Sequence, residues 1–210
     1  MSAVSPPVCP VPLTEKQQAI IAAATRIFLE QGYDQAGMEQ IARAAGVAKQ
    51  TLYNQFGNKE ALFRAIITQR CTELLDTLHD SDPRDEGIEP VLTRFATTLL
   101  NILLEPSALA LHRLIVAESR RLPRLGRLYY ESGPQRGNHR LAEYLQSQCE
   151  RGVLRIEDPE LAARQFTGAL LGALRTRALV LDEPIPQNDI DNTVRYTVQS
   201  FLARHLLMRT

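Results

Sequence analysis

The stretch that most constrains this chain is residues 38–63, MEQIARAAGVAKQTLYNQFGNKEALF. Ile41, Ala42 and Ala45 share one side of a short helical register, and Val47, Leu52 and Phe56 share the next. Apolar residues at that spacing mark the inward stripe of an amphipathic helix. Gly46 stands between the stripes, where a sharp turn needs a left-handed backbone that glycine adopts without steric cost. Ala42, four residues before it, is small enough for two helices to cross closely. Helix, tight turn and second short helix is the geometry that offers the second helix to the major groove of DNA. The polar residues left on its outward face are Lys49, Gln50, Thr51, Tyr53, Asn54 and Gln55. Between Ile41 and Lys59 the charged residues are Arg43, Lys49 and Lys59, all basic.

The rest of the composition narrows the choice. At 210 residues the chain can form one large domain or two small ones with a sizeable core. Its 24 Lys and Arg balance 24 Asp and Glu, which argues against a histone-like coat on DNA but not against a local basic patch. No apolar run reaches membrane-spanning length, and the first residues lack the basic start and apolar core of a signal peptide, so a cytoplasmic location and no membrane are expected. Cys9, Cys71 and Cys149 have no paired spacing, and His79, His112, His139 and His205 have no metal-ligand spacing. We therefore expect no disulfide framework, no metal and no cofactor. His112, Arg113 and Glu118 can be imagined as an acid–base group, but there is no nucleophile motif and no Gly-rich phosphate loop, so no enzyme is expected.

Taken in order, residues 1–13 hold Pro6, Pro7, Pro10 and Pro12 and read as an extended or disordered arm. Thr14 and Gln17 form a capping box for a first helix with Ile20, Ala24, Ile27 and Phe28 inward and Gly32 at its end. The next two helices begin near Gly37 and Ala48, neither of which offers a side-chain cap. Asn58 caps a fourth, long helix carrying Phe63, Ile66, Ile67, Cys71, Leu74, Leu75 and Leu78, in which Cys71 reads as a small buried hydrophobe. The polar segment 80–90, broken by Pro83, Gly87 and Pro90, marks the boundary of the head. From Val91 to Leu104 the pattern is apolar nearly all round, as in a helix buried on most sides. Gly133-Pro134 breaks or kinks the chain, Gly152 ends a helix, and Asp158-Pro159-Glu160 starts a long one containing Gly168, Ala169, Gly172 and Ala173. A last helix from about Asp189 places Ile190, Val194, Val198, Phe201 and Leu202 on one stripe. Sustained period-two alternation is lacking, so the fold class is all-α.

Residues from about Glu15 to Leu78 resemble the DNA-binding domain of TetR-family transcriptional regulators. The matching residues are Ala24, Phe28, Gly32-Tyr33, Ile41-Ala42, Ala45-Gly46-Val47, Thr51-Leu52-Tyr53, Phe56, Lys59-Glu60 and Leu62. His112-Arg113-Leu114, Ala117-Glu118, Leu122-Pro123, Gly133-Pro134 and the Gly152-to-Asp158 stretch resemble the C-terminal domain of the AefR-like branch. The resemblance implies an N-terminal helix-turn-helix head at 14–80 and a helical effector-binding and dimerisation domain at 81–210. It departs from this sequence at Gly37 and Ala48, where the family commonly places Ser or Thr.

Several expectations follow for the site. Lys49, Gln50 and Asn54 are placed for base edges of double-stranded operator DNA, since Gln and Asn pair with adenine and Lys reaches guanine. Thr51, Tyr53, Lys59 and the backbone amides following Gly37 suit phosphates. Tyr53 can equally pack on the core, and Lys59 can equally be a solvated surface lysine. One short helix reads only a few base pairs, so a homodimer on a palindrome is expected. The resemblance assigns the interface to the last two helices, about 158–181 and 189–208. Gly168 and Gly172 and the stripe at Val194, Val198 and Phe201 suit that role or packing within one chain. A small lipophilic or amphipathic effector, implied by the family, would meet Phe95, Leu99, His112, Ile115, Tyr129, Phe166 or Leu170. The same fold without an effector, as an architectural DNA-binding protein, is the alternative, as is a helical interaction module.

Overall fold

The computed structural model describes residues 13–78 and 87–207, apart from the side chain of Glu73. The proline-bearing arm before Leu13, the segment around Pro83, and His79 lie outside the described residues. The chain divides into two compact units between Ile66 and Ile67.

In the first unit, α1 spans Glu15–Gln31. The Thr14 hydroxyl accepts from the Gln17 N–H at 3.3 Å, and the Gln17 side-chain oxygen accepts from the Thr14 N–H at 2.9 Å. This reciprocal box satisfies two amides that a helix start leaves unpaired. The helix ends at Gly32, φ 83°. Next come α2, Met38–Ala44, and α3, Lys49–Phe56. Between them Gly46 adopts φ 66°, and the Val47 N–H donates to the Ala42 carbonyl at 3.0 Å to close the turn. No side chain caps α2 at Gly37 or α3 at Ala48. Helix α4, Lys59–Asp76, starts with the Asn58 side chain accepting from the Ala61 N–H at 2.8 Å. The core of this unit is an aromatic triad: Phe28, Tyr33 and Phe63 have ring centroids 5.3–6.0 Å apart. Ile20, Ala24, Ile41, Leu52 and Leu62 are fully buried.

The second unit takes the later part of α4, then α5 (Ile88–Leu104), α6 (Pro106–Ser119), α7 (Pro123–Tyr130), α8 (Arg136–Glu150), α9 (Pro159–Leu181) and α10 (Gln187–His205). Helix α5 buries Val91, Leu92, Phe95, Ala96, Leu99 and Leu100, as a helix apolar nearly all round must. It packs against α6, α9 and α10. Asp158 caps α9 by accepting from the Leu161 N–H at 2.9 Å. The Arg155 N–H donates to His205 O at 2.8 Å and the Leu207 N–H to Val153 O at 3.0 Å, which ties the end of α10 to the loop before α9. There is no strand among the described residues beyond one isolated bridge, Leu154 to Leu206. No single helix there is long and apolar enough to cross a membrane.

Two alternatives that the sequence leaves open are narrowed here. Gly133-Pro134 does not break the chain: a π-helical turn, Glu131–Gln135, carries α7 into α8. Proline has no N–H to give and crowds the carbonyl four residues back, and the wider π turn accommodates both. The α10 stripe is also committed elsewhere. Val194, Val198 and Phe201 are buried in this chain's own core, with the Phe201 ring edge-on to Phe166 at 5.1 Å. An α5 that is apolar on most sides needs that cover. The surface left open at the middle of α9 includes Gly168, Ala169, Gly172 and Ala173.

The Phe63 side chain is fully buried between two other rings. Phe63→Ala is expected to cost about 3–5 kcal/mol, read from urea denaturation; a loss below about 1 kcal/mol, the level of a surface change, would contradict the triad's role.

Candidate nucleic-acid interface and cavity

Helix α3 is held by one inward anchor. Leu52 has no exposed surface, and the residues around it turn outward. Lys49, Gln50 and Asn54 are exposed, Thr51 is half-buried, and Tyr53 is 38% exposed. Leu52 thus orients α3 and fixes which side chains leave the surface.

Lys49, Gln50 and Asn54 each have a partner within the unit. The Gln50 amide donates to Asn54 Oδ1 at 2.8 Å, one turn along the helix. Lys49 pairs with Glu39 of α2, which holds the Glu39 carboxyl below and the Lys49 ammonium above their ordinary values, through their hydrogen bond first and their charges second. The Lys49 ammonium also lies 6.0 Å from the Tyr53 ring centroid. These contacts are solvent-exposed, so they exchange readily for other partners.

Lys59 is built in differently from the other expected contacts. Its ammonium donates to the carbonyls of Tyr33 at 2.9 Å, Asp34 at 3.0 Å and Ala36 at 3.1 Å, and lies 4.8 Å from the Tyr33 ring centroid. Lysine has three donors, and all three are taken. Lys59 therefore staples the start of α4 to the loop that delivers Gly37 and α2. It was expected to face phosphate or solvent; the geometry makes it a positioning residue.

The second unit contains a cavity of about 120 Å³. Ile67, Cys71 and Leu74 of α4, Phe95, Leu99 and Leu103 of α5, and Leu111 of α6 form its apolar walls. Gly133 and Pro134 of the π turn also line it. Its polar groups are Arg70, Tyr129, Asn138, Thr167 and Arg175. Of the residues expected at an effector, Phe95, Leu99 and Tyr129 line this space. His112 stands behind it, with Nδ1 3.2 Å from the Tyr129 hydroxyl. Ile115, Phe166 and Leu170 are buried away from it; Phe166 packs between Phe95 and Phe201. The sequence reading missed Arg70 and Arg175. The available signal was Arg175 standing one turn after Leu171 on a helix that faces the interior.

Burial first, and the Arg175 charge second, lower the His112 pKa to about 4. Burial raises the Cys71 thiol, whose Sγ lies 3.9 Å from the Ser132 carbonyl, so Cys71 behaves as a small hydrophobe. The imagined acid–base group does not assemble. Arg113 donates to the carbonyls of Ala178 and Leu179 and to Asp182 at the end of α9, Glu118 pairs with Arg121, and His112 faces Tyr129. Among the described residues no cluster of His, Cys, Asp and Glu is placed to hold a metal ion.

A helix-turn-helix unit followed by a helical unit with an internal cavity defines a DNA-binding regulator. Residues 20–66 match the family described as bacterial regulatory proteins, tetR family, and residues 90–205 match the AefR-like transcriptional repressor C-terminal domain. The chain belongs to the TetR family of transcriptional regulators. A TetR-family regulator from Mesorhizobium loti MAFF303099 is similar in structure, with TM-score 0.75 and 33% identity over 93% of this chain and 100% of that one. The flavonoid-responsive regulator FrrA is similar at TM-score 0.72 and 34% identity, over 92% and 98% of the two chains. In sequence, the HTH-type transcriptional regulator YhgD of Bacillus subtilis strain 168 is 27% identical over 153 residues, 71% of this chain and 77% of its own length.

Two outcomes follow from these geometries. Lys59→Met is expected to destabilise the fold by about 1–3 kcal/mol, because three carbonyls lose a charged donor, while leaving the salt dependence of DNA binding unchanged. A drop in that slope by about one unit would instead reveal a phosphate contact. His112 has its folded pKa depressed from 6.5 to about 4, so the unfolded chain takes up the proton first as pH falls. Its contribution is complete above pH 6.5 and is lost as pH falls toward 4. Denaturation midpoints measured across that window are expected to fall less steeply for His112→Gln than for the native chain; equal slopes would contradict the assignment.

Proposed function

We propose that this protein is a repressor that binds a palindromic operator in the cytoplasm as a homodimer, is released by a small lipophilic or amphipathic effector, and performs no catalysis. The observation that carries the reading is the outward face of α3, where Lys49, Gln50 and Asn54 stand exposed over buried Leu52. Gln50 and Asn54 give up their mutual hydrogen bond to read adenine edges, and Lys49 leaves Glu39 for a guanine. Thr51, Tyr53 and the amides following Gly37 take phosphates and set the register without reading sequence. Residues 14–80 act as the DNA-binding head and 81–210 as the sensing and dimerising part.

The dimer forms through the open faces of α9 and α10. Gly168, Ala169, Gly172 and Ala173 let a partner helix approach closely, and Leu161, Val180 and Tyr196 are large apolar groups left exposed on the same two helices. The effector enters the cavity beside Phe95, Leu99 and Tyr129. That FrrA is flavonoid-responsive by name supports a small organic ligand for this fold. Coupling requires the ligand to favour one arrangement of the dimer over the other.

The test compares native protein with Asn54→Ala on an array of all short duplexes at stated salt. The variant is expected to lose about 1–3 kcal/mol of discrimination at one position in each half-site. Equal losses on every duplex would show that Asn54 reads no base.

A further inference from the structure

The cavity holds a positive charge that has no counter-charge, and this bears on which effector the chain takes; the inference rests on the effector reading above. The walls from α5 and α6 are apolar, α4 adds Arg70 to its apolar residues, and α9 contributes Arg175. The Arg175 Nη2 donates to the Tyr129 hydroxyl at 3.2 Å, a neutral partner, and its Nε is buried with no acceptor. Among the described residues no carboxylate pairs with it. The other guanidinium of the lining differs: Arg70 pairs with Glu105 at 2.9 Å and donates to Ser107 at 2.8 Å.

The neighbours of Arg175 supply no negative charge either. Tyr129 accepts from Arg175, so its own proton points to His112 Nδ1, 3.2 Å away. That arrangement needs a neutral imidazole, and burial keeps His112 neutral at physiological pH. Arginine cannot shed its proton. Arg175 is half-buried with its Nε enclosed; a guanidinium partly withdrawn from water without an anion carries a cost that a matching anion offsets. An edge of the guanidinium presents parallel N–H groups that fit a carboxylate.

We propose that the cavity takes an amphipathic carboxylate, its apolar body against Phe95, Leu99 and Leu111 and its carboxylate accepting from Arg175. The volume of about 120 Å³ is of the same order as the roughly 150 Å³ cavity that holds benzene, which limits the apolar body to one ring or a short alkyl chain.

The experiment is isothermal titration calorimetry of the full chain at about pH 7, where these acids are ionised and His112 is neutral. The probes are phenylacetate against phenylacetamide, and octanoate against octanamide. In at least one pair the carboxylate is expected to bind the native protein about tenfold tighter or more. Arg175→Gln is expected to erase that preference with amide affinity unchanged, and Arg175→Lys to keep part of it. Equal affinities in both pairs on native protein would overturn the proposal while leaving the cavity as an effector site. That comparison needs no variant to fold. A preference that survives Arg175→Gln would also overturn it. If no probe of either head group bound, the effector reading itself would fall with it.

Discussion

The burial of Leu52 is the constraint on which the head depends. Helix α3 has eight residues and no side-chain cap at its start. An isolated helix of that length is not stable in water, because nucleation costs more than so few hydrogen bonds return. Burying a leucine contributes about 1.5–3 kcal/mol, and the Gly46 turn delivers α3 already aligned with α2. Tertiary packing therefore makes α3 a helix, and the same packing decides that Lys49, Gln50 and Asn54 leave the surface together. Lys59 fixes the loop in front of α2 from the other side. Leu52 and Lys59 thus set where the exposed side chains of α3 stand.

A parallel constraint shapes the second unit. Helix α5 is apolar on most sides, so its neighbours must cover it, and α10 spends Val194, Val198 and Phe201 on doing so. The middle of α9 leaves Gly168, Ala169, Gly172 and Ala173 outside, with Leu161 and Val180 exposed toward its ends. The cavity marks where the covering of α5 is incomplete. There the π turn brings Gly133 and Pro134 to the lining; a Cβ at Gly133 would meet Ile67 Cγ2 at 3.1 Å. Arg175 gives that mostly apolar space a charge that no carboxylate matches among the described residues.

What could be read from the sequence was local. The Thr14 capping box, the Asn58 and Asp158 caps and the left-handed Gly32, Gly46 and Gly152 each follow from residues within a few positions of one another. The helix-turn-helix was legible for the same reason, since its apolar stripes and its glycine lie within twenty or so residues. The misses were non-local. Lys59 binds carbonyls 23 to 26 positions earlier, and no periodicity reports such a contact. The α10 stripe looked the same whether it met a partner or its own α5. Phe95, Leu99 and Tyr129 were recognisable as cavity residues, but Phe166 and Leu170 had the same apolar character and belong to the core. Arg175 was passed over because a charge on a helix ordinarily faces solvent.

The account stands or falls on α3 entering the major groove in two symmetry-related copies. Methylation interference on a duplex selected for binding tests this directly, because methyl groups on guanine N7 project into the major groove and those on adenine N3 into the minor groove. The account predicts interference from guanine N7 in two blocks, about one helical turn or a multiple of it apart. Interference confined to adenine N3, or a single unpaired block, would contradict it.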